Sequence, residues 1–128
     1  PPRSTLFPYT TLFRSIDRDL LLILKSNVIG DGEPDLGETL MGSFLSMLLE
    51  SDRIPAKIIC LNSGVFLTTE GSPVRDLLDR FSAAGAEVSS CGTCLDYYGR
   101  REQLVVGVAG NMRDTVQAML TFERVVTP

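Results

Sequence analysis

The sequence predicts a small α/β domain with a mainly parallel sheet of about five strands and helices on both faces of that sheet. Short continuous apolar runs, which are typical of strands buried on both faces, alternate with longer segments whose apolar residues recur at helical spacing. Clusters of Gly, Pro, Asn and Asp separate the two kinds of segment. A strand–helix–strand order requires right-handed crossovers, so we expect three layers with the sheet in the middle.

The first strand and the first helix have clear patterns. Residues 20–24 form the apolar run LLLIL, which predicts a central strand. After a loop rich in Gly and Asp, the spacing of Asp35 and Glu38 predicts a capping box at the start of a helix that runs to about residue 49. All methionines of the chain fall on predicted helices, and we expect them in the core: Met41, Met47, Met112 and Met119.

The rest of the chain predicts two more long helices and four more strands. Ser72 is the predicted N-cap of the second helix, with Pro73 at its first position, and Asn111 is the predicted N-cap of the last helix. The order of elements indicates a flavodoxin-like domain. The remaining predicted strands are residues 56–61, 86–89, 104–108 and 122–126.

The composition argues against several classes of partner. The chain has 16 acidic and 12 basic residues and a formal net charge of −4. A nucleic-acid partner favours a basic face, and no cluster of Lys or Arg indicates a membrane surface, so we expect neither. Three cysteines are too few for the disulfide framework of a secreted protein, and an odd number cannot all pair within one chain. With no recognisable secretion signal, this indicates a cytoplasmic protein.

Residues 1–15 do not fit the domain. Residues 5–15, TLFPYTTLFRS, are identical to the in-frame translation of a common sequencing adapter. We therefore expect residues 1–15 to be an artefact and disordered, and the domain to occupy residues 16–128. We also expect that a native N-terminal region is missing. Without Arg3 and Arg14 the chain has 10 basic and 16 acidic residues, a net charge of −6.

Cys91 and Cys94 are the residues best suited to chemistry, because they directly follow the predicted third strand. Ligands bind at the carboxyl ends of parallel strands, and a helical turn after Cys91 would stabilise a thiolate there. We interpret Cys91 as a nucleophile, the alternative being a small buried side chain. Three roles are open for Cys94. It forms a disulfide with Cys91 and so releases an adduct bound there, it tunes the acidity of the Cys91 thiol, or it only packs against its neighbours. Gly92 and Thr93 allow the tight turn that a short-loop disulfide requires.

Polar residues that follow the second strand are expected to lie beside this turn. We expect them to donate hydrogen bonds to a sulfur anion or to shape its pocket, the alternative being ordinary turn chemistry. Tyr97 covers the thiol or packs in the core. The residues after the second strand are Asn62, Ser63, Gly64, Thr68 and Thr69.

We expect neither a metal nor a cofactor. A structural zinc site prefers four Cys or His ligands, whereas this chain has no His and only Cys60 besides the pair. Cys60 lies within an apolar run, which predicts a core position. The loop at residues 30–35, GDGEPD, is not a GxGxxG fingerprint, and its carboxylates would repel a phosphate.

Three blocks of sequence resemble the YedF family, whose C-terminal domain is DsrE-like. The blocks are LILKS (22–26) with LGETLM (36–41), NSGVFLTTEGS (62–72) and CGTCLDYY (91–98). The resemblance spans residues 20–126 and implies a bacterial, sulfurtransferase-like protein linked to selenium metabolism, which assembles as an oligomer. It also implies that Cys91 carries a persulfide and that a TusA-like domain precedes this one.

We therefore expect a sulfurtransferase-like carrier in which Cys91 holds sulfur, or selenium, for relay to a partner protein. The resemblance implies a TusA-like sulfur-relay protein or a cysteine desulfurase as the partner, together with further copies of the chain. One alternative is a thiol–disulfide oxidoreductase that uses Cys91 and Cys94 together. The other is a non-catalytic oligomerising or regulatory module.

Overall fold

The computed structural model of the chain describes residues 16–128, so the expectations for residues 1–15 lie outside the described residues. The strands are β1 (Ile16–Leu24), β2 (Ile54–Cys60), β3 (Glu87–Cys91), β4 (Val108–Gly110) and β5 (Arg124–Val126). The α-helices are α1 (Pro34–Glu50), α2 (Arg75–Ala83), α3 (Gly92–Tyr97) and α4 (Met112–Thr121). Short 3-10 helices cover Asn62–Leu67 and Arg101–Gln103.

The five strands of the described residues form one sheet in the order β4–β3–β2–β1–β5. Every neighbouring pair is parallel, which confirms the predicted α/β class. Strand β1 has a partner on each side, and all five residues from Leu20 to Leu24 are at most 5% exposed. The continuous apolar run therefore identified an inner strand that is covered on both faces.

The two faces of the sheet are covered by different helices. Because alternate strand residues point to opposite faces, Leu22 and Leu24 of β1 join a large core cluster with side chains of α1 and α2. Leu21 and Ile23 point the other way and pack near Ala118 of α4. These helices complete the three predicted layers. The outer surface of α4 exposes four large apolar side chains: Met112, Val116, Met119 and Leu120.

The starts of three helices test the predicted caps. The predicted capping box is wrong: α1 begins at Pro34, and the Asp35 side chain accepts a hydrogen bond from the backbone N–H of Leu36. Helix α2 begins at Arg75, later than predicted, because the Ser72 hydroxyl accepts from the Val74 N–H in a turn that precedes the helix. The cap of α4 is confirmed, since Asn111 Oδ1 accepts from the Asp114 N–H at 2.8 Å.

The fourth strand begins later than residue 104, where the sequence placed it. The N–H groups of Val105 and Val106 both donate to the carbonyl oxygen of Thr68, at 2.9 and 3.2 Å. These bonds hold the segment against the loop that comes after β2. The chain then turns at Gly107, where φ is +74°, and only Val108–Gly110 pairs with β3.

The prediction that all four methionines lie in the core is wrong for three of them. Met41 is buried, but Met47, Met112 and Met119 are 61%, 57% and 42% exposed. The reason is geometric: a helix at the surface of a three-layer domain turns only one side towards the sheet. Helical spacing placed these residues on helices but did not show which side each one faces.

Candidate functional site

The two cysteines of the CxxC motif lie at the carboxyl end of β3. Cys91 is the last residue of that strand, which extends two residues beyond the predicted end at Ser89, and α3 begins at the next residue, Gly92. Cys91 is 5% exposed, whereas Cys94, in the first turns of α3, is half-buried. Both are free thiols. The strand end thus holds one sheltered thiol and one that reaches the surface.

Cys91 is the N-cap of α3 and Cys94 lies three residues further on, in the first turn of that helix, so the two side chains lie close together. Burial raises the pKa of the Cys94 thiol, and the hydrogen bond to Cys91 and the charge of Cys91 raise this pKa further. The backbone N–H of Asn62 opposes these effects because it donates a hydrogen bond to the Cys94 sulfur. The effects that raise the pKa of Cys94 outweigh the one that lowers it.

Asn62 connects the end of β2 to the cysteine pair. Its φ of 52° lies in the left-handed region, which Asn adopts more readily than most residues. In this conformation its N–H donates to Cys94 Sγ at 3.1 Å. Its side-chain oxygen accepts from the Ser63 N–H at 2.9 Å and from the Tyr98 hydroxyl at 3.2 Å. Asn62 therefore fixes the position of Cys94 from a neighbouring strand end.

A surface groove of about 400 Å³ opens at Cys94. Tyr97 is 83% exposed and meets Tyr98 edge to face, with ring centroids 5.2 Å apart. The Tyr98 ring also packs on Phe66, at 4.6 Å. Among the described residues that line the groove, none is Asp, Glu, Lys or Arg. The lining residues are Asn62, Thr93, Cys94, Tyr97 and Tyr98.

Arg101 braces the helix that carries Cys94. Its Nε and Nη2 donate to the two carboxylate oxygens of Asp96, at 2.7 and 3.1 Å, and Nη2 also donates to the Gly92 carbonyl at 3.3 Å. The Arg101 hydrogen bonds lower the pKa of Asp96. A Cβ at Gly92 would lie 2.8 Å from Arg101 Nη2, so the absence of a side chain leaves room for the guanidinium.

The sequence analysis did not identify Arg101. It lies five residues after Asp96, which is not the spacing of a helical ion pair. The pair forms only because the chain turns at Gly99, where φ is +65°. No sequence pattern signalled that turn geometry in advance.

Four of the predicted pocket residues support the loop rather than the groove. The Ser63 hydroxyl accepts from the Asn27 N–H at 3.3 Å. Gly64 packs so closely on the Leu24 carbonyl oxygen that a Cβ would overlap it. The structure therefore brings Asn62, Thr93 and Tyr97 to the groove beside Cys94. The predicted residues that do not line this groove are Ser63, Gly64, Thr68 and Thr69.

The two threonines are fully buried and their hydroxyls have partners inside the loop. Thr68 Oγ1 donates to the Val65 carbonyl at 3.1 Å and lies 2.6 Å from Ser90 Oγ. Thr69 Oγ1 donates to the same carbonyl at 3.1 Å. These bonds stabilise the turn after β2, so the turn-chemistry interpretation fits both residues.

Cys60 lies in the core, as its apolar surroundings predicted. Burial raises the pKa of this thiol to about 12, and the hydrogen bond with Ser90 offsets part of that rise. Cys60 therefore stays protonated and enclosed at neutral pH. Within residues 16–128, no group of three or more His, Cys, Asp or Glu side chains is placed to hold a metal ion.

Comparison with solved structures identifies the fold. The chain is similar to the ychN protein from E. coli, with a TM-score of 0.60 and 18% identity over 88% of this chain and 100% of that one. It is also similar to MTH1491 from Methanobacterium thermoautotrophicum (TM-score 0.63, 12% identity, 88% and 100% coverage). A third similar structure is BT1422 from Bacteroides thetaiotaomicron (TM-score 0.59, 15% identity, 86% and 95% coverage).

These similarities define the class of fold. The last two structures are of proteins of unknown function, and at these identities the likeness concerns the fold alone. It is consistent with the DsrE-like fold that the sequence implied. No protein-family model and no curated protein matches the chain. None of the helices in the described part of the chain is long and apolar enough to cross a membrane.

Proposed function

We propose that this domain is a YedF-type, sulfurtransferase-like carrier that holds sulfur, or selenium, as a persulfide on Cys91. The observation that carries the proposal is a pair of neighbouring free thiols at the carboxyl end of a parallel strand, one of which lines a groove. Persulfide exchange requires a free thiol that a donor can reach, and Cys94 meets this requirement. The resemblance of the CGTCLDYY block to the YedF family supports the same function.

The chemistry transfers a sulfur atom without net oxidation. A thiolate of the carrier attacks the outer sulfur of a donor persulfide, R–S–SH. The donor S–S bond breaks, and its electron pair leaves with the donor sulfur, which becomes R–SH after taking up the proton that the carrier thiol released. The carrier then holds a terminal sulfur as –S–SH, and the same exchange in reverse passes it to an acceptor thiol.

The proposed partners are those that the resemblance implies: a TusA-like sulfur-relay protein or a cysteine desulfurase, in the cytoplasm. The net charge of −4 favours a partner with a basic docking face. The exposed apolar side chains on α4 support an assembly of several copies of the chain. These side chains are Met112, Val116, Met119 and Leu120.

Intact-mass spectrometry tests the proposal. The fully reduced chain is incubated with glutathione persulfide and desalted, and its intact mass is then measured. We expect a gain of one sulfur atom in the parent chain and no gain when both Cys91 and Cys94 are replaced by Ser. Cys60→Ala is the matched control, because Cys60 is enclosed, and it gains sulfur like the parent chain. A parent chain that gains no sulfur would refute the proposal.

The same pair of neighbouring thiols, Cys91 and Cys94, favours one alternative, a thiol–disulfide oxidoreductase. In that case Cys91 and Cys94 together lose two hydrogens to an oxidised disulfide substrate, which gains them. The mass experiment separates the two functions, because an oxidoreductase loses two hydrogens and retains no added sulfur. A chain whose Cys91 and Cys94 react in neither way would instead be the non-catalytic oligomerising or regulatory module.

A further inference from the structure

The two thiols of the pair differ sharply in how a reactant can approach them. Cys94 lines the groove of about 400 Å³, whereas Cys91, at the end of β3, is 5% exposed and is not among the lining residues. Thiol exchange requires the attacking sulfur to reach the sulfur that is attacked, so its rate depends on access. A donor persulfide in the groove therefore meets Cys94 first.

A hydrogen-bond donor also faces the Cys94 sulfur, and it partly offsets the burial that raises the pKa of this thiol. The Asn62 N–H donates to Cys94 Sγ at 3.1 Å, and a backbone N–H stabilises a thiolate more strongly than a thiol. Asn62 is itself held by bonds from the Ser63 N–H and the Tyr98 hydroxyl. This donor therefore faces Cys94 before any reactant arrives, so little reorganisation accompanies the attack.

We propose that Cys94 is the thiol that exchanges sulfur with partners, and that Cys91 is an inner store to which Cys94 passes that sulfur. This inference rests on the proposed persulfide function and assigns the order of its steps. In the first step, Cys94–SH and R–S–SH give Cys94–S–SH and R–SH. In the second, the Cys91 thiolate attacks the outer sulfur of Cys94–S–SH. The Cys94 S–S bond breaks, its electron pair returns to Cys94, and the proton released by Cys91 protonates it.

The second step uses the closeness of the two thiols, since Cys91 is the N-cap of α3 and Cys94 lies in the first turn of that helix. Once sulfur lies on Cys91, the burial that excludes a donor also excludes stray thiols from the persulfide. Transfer outward takes the same path in reverse, through Cys94 to an acceptor in the groove. The pair thus separates exchange from storage.

The test is a quenched time course with glutathione persulfide as the donor. The full-length chain is sampled at short times, alkylated, digested and mapped by mass spectrometry. In the parent chain we expect the added sulfur on Cys94 first and on Cys91 later. In Cys94→Ser we expect loading to slow by about tenfold or more, since only the sheltered thiol remains. In Cys91→Ser we expect sulfur on Cys94 that an added thiol strips about tenfold faster than from the parent chain.

Two outcomes are distinguishable. If the parent chain takes up no sulfur, the proposed function fails. If it takes up sulfur but Cys94→Ser loads Cys91 as fast as the parent chain, the function stands and the order of steps is overturned. A second measurement needs no variant: brief alkylation of the parent chain by iodoacetamide is expected to label Cys94 about tenfold faster than Cys91. Equal or reversed labelling also overturns the inference.

Discussion

The carboxyl ends of β2 and β3 lie side by side in the sheet and both carry cysteine, yet one end is closed and the other is open. At the end of β2, Cys60 is fully buried and hydrogen-bonded to Ser90 of the neighbouring strand. At the end of β3, Cys91 is 5% exposed, and the helix that follows carries Cys94, which lines a groove. The end of β2 therefore encloses its cysteine, whereas the end of β3 leads to a second cysteine that reaches the surface.

The difference arises because Cys91 lies one residue beyond Ser90, the residue that pairs with Cys60. Cys60 pairs with Ser90, and the two side chains share a face of the sheet because paired residues of parallel strands point the same way. Cys91 is the next residue, so its side chain points to the opposite face. The chain then enters α3, which places Cys94 beside the groove. Cys60 and Cys91 thus point to opposite faces of the sheet, and the strand that ends at Cys91 leads into the helix that brings Cys94 to the groove.

The closed end should be the less tolerant of substitution. Gly64 packs on the Leu24 carbonyl oxygen with no room for a Cβ, so we expect Gly64→Ala to lower the free energy of unfolding by more than about 3 kcal/mol. Gly42→Ala is the matched control, because nothing lies within 4 Å of its Cβ position in α1. That change should stabilise the protein by about 0.5 to 1 kcal/mol. Urea unfolding measures both, and equal stability of Gly64→Ala and the parent chain would contradict the packing.

The enclosure of Cys60 should appear as a loss of stability at high pH. Its pKa rises from 9.0 to about 12 on folding, so above pH 9 the unfolded chain loses the thiol proton while the folded chain keeps it. Stability from this group is full below pH 9 and declines as pH rises. From about pH 8 to about pH 10.5 we expect the parent chain to lose about 2 kcal/mol more than Cys60→Ala in urea unfolding. Parallel curves for the two proteins would show that Cys60 is not enclosed.

At the open end, Cys91 should control the acidity of Cys94. Burial raises the pKa of Cys94, and the hydrogen bond and charge of Cys91 raise it further. The alkylation rate of Cys94 should therefore reach half its maximum at a higher pH than the rate of a free thiol in solution does. In Cys91→Ala the burial remains but the hydrogen bond and charge are gone, so this pH should fall. Alkylation rates of the Cys94 peptide, measured against pH, give both values. The other titratable groups lining the groove are Tyr97 and Tyr98. An unchanged profile would mean that the two sulfurs are not coupled.

The smallest effect should come from the bond between Tyr98 and Asn62. Tyr98→Phe removes a hydroxyl that donates to Asn62 Oδ1 at 3.2 Å in an exposed position, while the ring keeps its contact with Phe66. We expect a loss of about 0.5 kcal/mol in thermal or urea unfolding. Tyr97→Phe is the control, and it should change stability by less. A loss of several kcal/mol in Tyr98→Phe would show that the open end is as tightly built as the closed one.

Sequence patterns predicted the framework of this molecule but only part of its candidate site. The run at residues 20–24 identified an inner strand because burial on both faces leaves a continuous apolar sequence. The same alternation of elements placed Cys91 close to the end of the third strand, although it did not show that the strand continues to Cys91 itself. The role of Asn62 as a donor to Cys94 did not follow, because a left-handed φ and a contact between strand ends are tertiary features.

The sequence also grouped residues that the structure separates. Asn62, Thr68 and Thr69 looked equivalent as polar residues after the second strand, but the short 3-10 helix at Asn62–Leu67 turns the two threonines inward. Likewise, helical spacing could not show that Met112 and Met119 are largely exposed rather than buried in the core. Local patterns define elements, whereas the direction of each side chain depends on how those elements pack.

The most direct test of the carrier function is a transfer from the loaded protein. The chain is loaded with radiolabelled sulfur from glutathione persulfide, desalted, and mixed with unlabelled glutathione as the acceptor thiol. We predict that the label moves to the acceptor as its persulfide and that Cys91 and Cys94 return to free thiols. Release of the label as sulfide, with formation of a Cys91–Cys94 disulfide, would contradict the account, because the pair would then act as a dithiol reductant rather than as a carrier.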